Sequence, residues 1–131
     1  TGKGNKKLNS FGYYNAIEMA DDMNILYNSA NFVLGRAGAG VTAECYFKKL
    51  PMLLIPLENS TSRGDQVQNA QYYVDHGVAK MLHETDITAN ILQREIEQFC
   101  QNLETYKQAY KTIKPTNGRQ KIVEIIKQIT K

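Results

Sequence analysis

Pro51-Met52-Leu53-Leu54-Ile55-Pro56-Leu57 is apolar throughout and carries a proline near each end. A strand with one wet face alternates polar and apolar residues, and this segment does not alternate. It therefore reads as a short strand covered on both faces, the setting of a central strand in a parallel sheet.

The flanking segments fit that role. Ala30 to Leu34 is a second short apolar run, stopped by Gly35-Arg36-Ala37-Gly38-Ala39-Gly40, and Val41 to Lys49 then reads as a helix. Downstream, a polar loop from Glu58 to Gly64 leads to a predicted helix from Asp65 to His76. Gly77 follows in the position a helix C-terminus prefers, and Val78 to Leu82 forms a further strand. Upstream, Tyr13 to Ile17 is predicted as a short first strand. Asp21 is the predicted cap of a helix carrying Met23, Leu26 and Tyr27 on one face. Asp86 is predicted to cap a helix with Ile87, Ile91, Leu92, Ile96, Phe99 and Leu103 on a broad apolar face, broken by Pro115-Thr116-Asn117-Gly118. A last helix follows, with Ile122, Ile125, Ile126 and Ile129 at helical spacing. Strands alternating with helices imply an α/β, Rossmann-like fold, a parallel sheet with right-handed crossovers flanked by helices. Such sheets usually have about five or six strands, so a chain with fewer is expected to lack its first strand or strands.

The charged fraction of 22% and hydrophobic fraction of 42% are those of one globular domain, expected to span 1–131. No apolar run reaches the roughly 18 residues of a membrane span, and the first residues do not read as a signal peptide, so the cytoplasm is the expected compartment. Residues 104 to 131 carry seven Lys or Arg against two Glu, with no aromatic residue after Tyr110. That pattern reads as the solvated face of terminal helices rather than a nucleic-acid surface. Cys45 and Cys100 share no metal-ligand spacing and read as two buried, reduced thiols; no metal site is expected.

In an open parallel sheet, ligands bind beyond the carboxyl ends of the strands. The loop from Gly35 to Glu44 is the richest of these. Its glycines admit a close backbone approach, and the following helix offers free N–H groups and a positive dipole end to a phosphate. As a bare pattern it is neither a GxGxxG nor a Walker loop, and a tight turn explains it as well. Glu44 can accept hydrogen bonds from a vicinal diol such as ribose, or can be an exposed helix glutamate. Asp65, Gln66 and Asn69 share one helix face that can read sugar hydroxyls, while Asp65 alone reads as an N-cap. His76 and His83 sit in no arrangement that points to a catalytic triad, and Tyr13-Tyr14 and Tyr72-Tyr73 read as core and interface residues.

Taken in order, these loops form a pattern: Ala30-Asn31-Phe32-Val33-Leu34-Gly35-Arg36-Ala37-Gly38-Ala39, Glu44, Leu50 to Leu57, Ser62-Arg63-Gly64-Asp65-Gln66-Val67-Gln68-Asn69-Ala70, and Gly77-Val78-Ala79. It resembles the C-terminal, donor-side domain of the MurG family of glycosyltransferases. The resemblance implies a GT-B fold of two facing Rossmann-like domains, this chain being the donor half. It implies UDP-GlcNAc as donor, a lipid-linked muramyl-pentapeptide as acceptor, and inverting transfer of N-acetylglucosamine in peptidoglycan synthesis, with no cofactor. By position, Glu44 matches the glutamate that holds the ribose hydroxyls. Asp65 and Gln66 match the pair that reads the GlcNAc hydroxyls, with Asn69 nearby. In several relatives both members of that pair are glutamine. Gly38 and Ala39 match the loop facing the diphosphate, and Ala20 matches the residue whose backbone meets uracil, with Met23 close by.

The resemblance further implies that the family's Gly-Gly-Ser loop would precede Thr1 and that the acceptor domain with its base is expected to lie outside these residues, so no catalytic residue is expected here. The chain alone is expected to be inactive. The full-length protein is expected at the cytoplasmic face of the membrane, with the helix in 115–131 packing on the missing domain; left uncovered, that helix is expected to favour self-association. Two alternatives stay open: a donor-binding subunit that needs a partner chain, and a nucleotide-binding module with no transferase role.

Overall fold

The computed structural model describes residues 12–17, 19–58, 64–114 and 118–130. Its centre is β2 (Met52–Leu54), hydrogen-bonded in parallel to β1 (Val33–Gly35) on one side and β3 (Ala79–Met81) on the other. The register pairs Val33 with Met52 and Met52 with Ala79. All three residues of β2 are buried, as are Pro51 and Pro56, which confirms the segment as a strand covered on both faces.

The helices are α1 (Met23–Ser29), α2 (Ala39–Phe47), α3 (Asp65–Asp75), α4 (Ala89–Gln101), α5 (Leu103–Thr112) and α6 (Gly118–Ile129). Side chains alternate along β2, so Met52 and Leu54 share one face and Leu53 takes the other. Met52 and Leu54 join a core with Tyr27 of α1, Cys45 of α2, Ala70 of α3 and Tyr110 of α5. On the opposite face, Lys80, paired in register with Leu53, forms an ion pair with Glu95 of α4. Phe99 of α4 is buried there, its ring 5.3 Å from Phe32 and 4.3 Å from Tyr106. The sheet is thus sandwiched between helical layers.

Local chemistry moves several predicted boundaries. Asp22, not Asp21, caps α1, its carboxylate accepting from the Asn24 N–H at 2.8 Å. Asp86 does not cap α4 either: it ends a 3-10 turn, Glu84–Asp86, and Thr88 caps the helix by accepting from the Ile91 N–H, which leaves Ile87 outside it. The predicted continuous helix to Leu103 breaks at Asn102, whose side-chain amide bonds the Gln98 carbonyl at 2.8 Å and so competes with the helix ladder. Tyr13 to Ile17 is not a strand: Tyr14 makes an isolated bridge, and Tyr13, Tyr14 and Ile17 are exposed, a setting that gives strand-forming side chains little packing to favour extended pairing. Tyr13 is accordingly not a core residue, and Tyr72 is exposed while Tyr73 packs against the core. The Pro115–Asn117 segment lies outside the described residues, and Ile122, Ile125, Ile126 and Ile129 of α6 are all exposed.

Two chain reversals require the left-handed backbone region. Gly77 (φ 72°) turns α3 into β3, and a side chain there would meet Ala109 of α5 at 3.4 Å. Lys49 (φ 57°) turns α2 towards β2 without that glycine freedom. The turn is held by the Leu50 N–H on the Cys45 carbonyl and by the Tyr110 hydroxyl, which donates to the Leu50 carbonyl at 2.6 Å.

The cysteines differ. Cys45 is buried and Cys100 is exposed on α4, correcting the expectation of two buried thiols; the apolar face of α4 runs through Phe99, and its neighbour turns outward. Burial, reinforced by the Glu44 carboxylate, pushes the Cys45 thiol up to about 11. In the folded protein at pH 8, a disulfide reagent should therefore modify Cys100 quickly and Cys45 only on unfolding. Because the folded thiol holds its proton more tightly than the unfolded one, the Cys45 contribution to stability is complete below about pH 8.5. It is lost progressively as pH rises towards 11. Rapid modification of both thiols in the native state would contradict this.

Candidate functional site at the carboxyl end of the sheet

β1, β2 and β3 all run the same way, so the segments that follow them, Arg36 to Ala39, Ile55 to Glu58 and Leu82 to Glu84, meet at one end of the sheet. Arg36 ties the three together. Its guanidinium donates to the Ile55 carbonyl at 3.3 Å and to the Glu84 carboxylate at 2.6 Å. The hydrogen bond from Arg36 holds the Glu84 carboxyl below its ordinary range, and the same bond raises the guanidinium. Nearby, His83 Nδ1 lies 2.6 Å from Glu58. Sequence reasoning alone misses Arg36; an arginine directly after a strand, inside a glycine-rich turn, is the signal that could have found it.

The turn after β1 is fixed through its carbonyls. The Asn69 side-chain amide donates to the Ala37 carbonyl at 3.2 Å. The Thr42 hydroxyl, fully buried, donates to the Gly38 carbonyl at 2.9 Å and reaches the Ala39 carbonyl at 3.3 Å. Gly38 is the N-cap of α2 and contributes no side-chain cap. The first N–H within the helix ladder is that of Thr42, on the Gly38 carbonyl at 3.0 Å. The amides of Ala39, Gly40 and Val41 precede it and have no partner within the helix. A turn whose carbonyls point inward and whose helix presents N–H groups is a receptor for an anion.

The predicted site residues fall around this turn. Glu44 is exposed on α2, near enough for its charge to act on Tyr27 and Cys45; burial first, then Cys45 and Glu44, raise the Tyr27 phenol. Asp65 is exposed at the first position of α3. It is not the N-cap, a position held by Gly64 at φ 75°, a conformation aspartate adopts less readily. Gln66 and Asn69 are partly buried and already engaged, Gln66 accepting from the Leu57 N–H at 2.9 Å. Arg63 lies outside the described residues. α1 ends shortly before β1 begins, so its first turn, which opens on the exposed Met23, lies towards the carboxyl end of the sheet; Ala20 stands three residues before that helix, outside it.

Two concave regions among the described residues lie elsewhere. One of about 410 Å³ is lined by Tyr27, Asn31, Lys48 and Pro51 at the opposite end of the strands. The other, about 440 Å³, lies between α2 and α5 against Phe47, Tyr110 and Ile113. Neither meets the Gly38 turn. Among the described residues no group of His, Cys, Asp and Glu side chains is placed to hold a metal ion, and no helix is long and apolar enough to cross a membrane.

Comparison with known proteins gives the family of the chain. Residues 2–129 match the model of the glycosyltransferase family 28 C-terminal domain. The chain is 36% identical over 132 residues to a Bacillus cereus protein named UDP-N-acetylglucosamine--N-acetylmuramyl-(pentapeptide) pyrophosphoryl-undecaprenol N-acetylglucosamine transferase 3, covering 99% of this chain and 37% of that relative. A Staphylococcus aureus protein named as the same transferase is 35% identical over 119 residues, covering 84% of this chain and 33% of its own length. The chain thus spans little more than a third of these relatives. A crystal structure of MurG from Acinetobacter baumannii superposes with a TM-score of 0.70 at 24% identity, over 86% of this chain and 33% of that one, which shows a shared fold. By the match over nearly its whole length, the chain belongs to the family 28 glycosyltransferases, as a C-terminal domain.

Proposed function

We propose that this chain binds UDP-GlcNAc as the donor half of a GT-B enzyme that transfers N-acetylglucosamine to lipid-linked muramyl-pentapeptide, the step from lipid I to lipid II in peptidoglycan synthesis. The observation that carries the reading is the Gly38 turn, with its carbonyls tied inward by Asn69 and Thr42 and the α2 amides facing outward at the carboxyl end of the sheet. The relatives' names supply the donor and the acceptor.

The diphosphate lies against Gly38 and Ala39 at the start of α2, where backbone N–H groups and the helix dipole favour negative charge. Glu44 accepts from the ribose hydroxyls, and the backbone at Ala20, beside Met23, meets uracil. Asp65 accepts from a sugar hydroxyl. Gln66 holds its side-chain oxygen on Leu57 and keeps its NH₂ free to donate to another. Displacement at the anomeric carbon then forms the bond to the acceptor oxygen as the UDP oxygen leaves. It requires a base to take the acceptor proton in a closed cleft, and an N-terminal domain supplies that base. The undecaprenol of the acceptor and the UDP-linked donor together support a full-length enzyme at the cytoplasmic face of the membrane, with the exposed isoleucine face of α6 packed on the N-terminal domain.

Calorimetric titration tests the reading. UDP-GlcNAc and UDP should bind this chain, ADP at least tenfold more weakly, and no GlcNAc should be transferred. Equal affinity for ADP would replace the reading with that of a general nucleotide module.

A further inference from the structure

The family resemblance places Asn69 beside the sugar-reading pair, but its geometry ties it to a different part of the donor. Asp65 and Gln66 stand in the first turn of α3, whereas Asn69 lies a full turn deeper, about 6 Å further along the axis from Asp65. Its side-chain N–H₂ is engaged with the carbonyl of Ala37, a residue with no exposed surface, in the turn that leads into Gly38. The neighbouring carbonyls of Gly38 and Ala39 are held by Thr42 from within α2, so Asn69 is the group that fixes the turn from outside it.

Resting on the donor-site reading above, we propose that Asn69 is a positioning residue for the diphosphate rather than a sugar contact. It holds the Ala37 carbonyl inward, so that the α2 amides meet the phosphates with no carbonyl dipole opposing them. Without this donor the buried carbonyl lacks a partner, and the turn relaxes by rotating it towards the ligand side, where it repels the diphosphate.

The test compares UDP-GlcNAc, UDP and UMP binding to the wild-type chain, Asn69→Leu, which keeps the volume, and Asn69→Ser, which keeps a short polar group. Affinity for UDP and for UDP-GlcNAc should fall by the same factor, about tenfold. The loss for UMP, which lacks the second phosphate, should be smaller. In the wild type, the Asn69 side-chain NMR resonances should shift equally with UDP and UDP-GlcNAc, a measurement that needs no variant. Unchanged UDP affinity with weakened UDP-GlcNAc binding, or an extra Asn69 shift caused by the sugar, would overturn the proposal and leave the donor site standing. Failure of the wild type to bind UDP would overturn the donor-site reading itself.

Discussion

Phe99→Ala should lower the unfolding free energy by about 3–5 kcal/mol, the largest loss expected from any single truncation described above. The ring is buried beneath α4, stacked on Tyr106 at an interplanar angle of 23° and tilted at 50° against Phe32. Its ring partners belong to two different segments, and each is fixed by its own backbone: Phe32 by the approach to β1, Tyr106 by the helix that restarts after Asn102. None can move far enough to fill the space, so the cavity term adds to the lost burial. Against a typical total of about 5–15 kcal/mol, such a loss takes much of the stability of the domain. Urea unfolding should show a lower midpoint with little change in slope. A loss below about 1 kcal/mol would show that the layer under α4 collapses freely. Phe99→Leu, retaining most of the volume, should cost less than half as much.

Glu44→Ala should weaken UDP binding by about 1.5–3 kcal/mol, roughly ten- to a hundredfold, because a charged acceptor of two ribose hydroxyls is lost. Glu44 is exposed on α2, so its replacement should leave stability nearly unchanged and isolate the effect on the ligand. Using 2′-deoxy-UDP makes the assignment specific. The wild type should discriminate against it, and the variant should not, since the hydroxyl and the carboxylate act as one pair. Equal UDP affinity in both proteins would remove Glu44 from the site.

The fold was legible where burial dictates sequence. β2 admits no polar residue because both its faces are covered, and the neighbouring helices follow from their apolar spacing. Boundaries were less legible, because they turn on which of two adjacent polar groups reaches a free N–H: Asp22 over Asp21, Thr88 over Asp86. Tyr13 to Ile17 shows the converse, where strand-forming residues form no strand and Tyr13, Tyr14 and Ile17 stay exposed. The order of the candidate site loops was visible, but not the direction in which an amide points. Sequence spacing set Gln66 and Asn69 on one face with Asp65. The hydrogen bonds to Leu57 and Ala37 show that both also serve as struts between α3 and the turns after β2 and β1. The role of Arg36 was hidden because Ile55 and Glu84, its partners, are remote in sequence.

β2 also couples the two halves of the sheet. Each of its partners is the strand next to it in the chain, so neither pairing waits on a distant segment, yet both use the same three residues. The strand–helix–strand units on either side therefore share one strand, and a change that weakens β2 loosens both pairings. The two turns that converge on the candidate site, after β1 and after β2, are carried by strands in direct register, so a shift of one strand moves both.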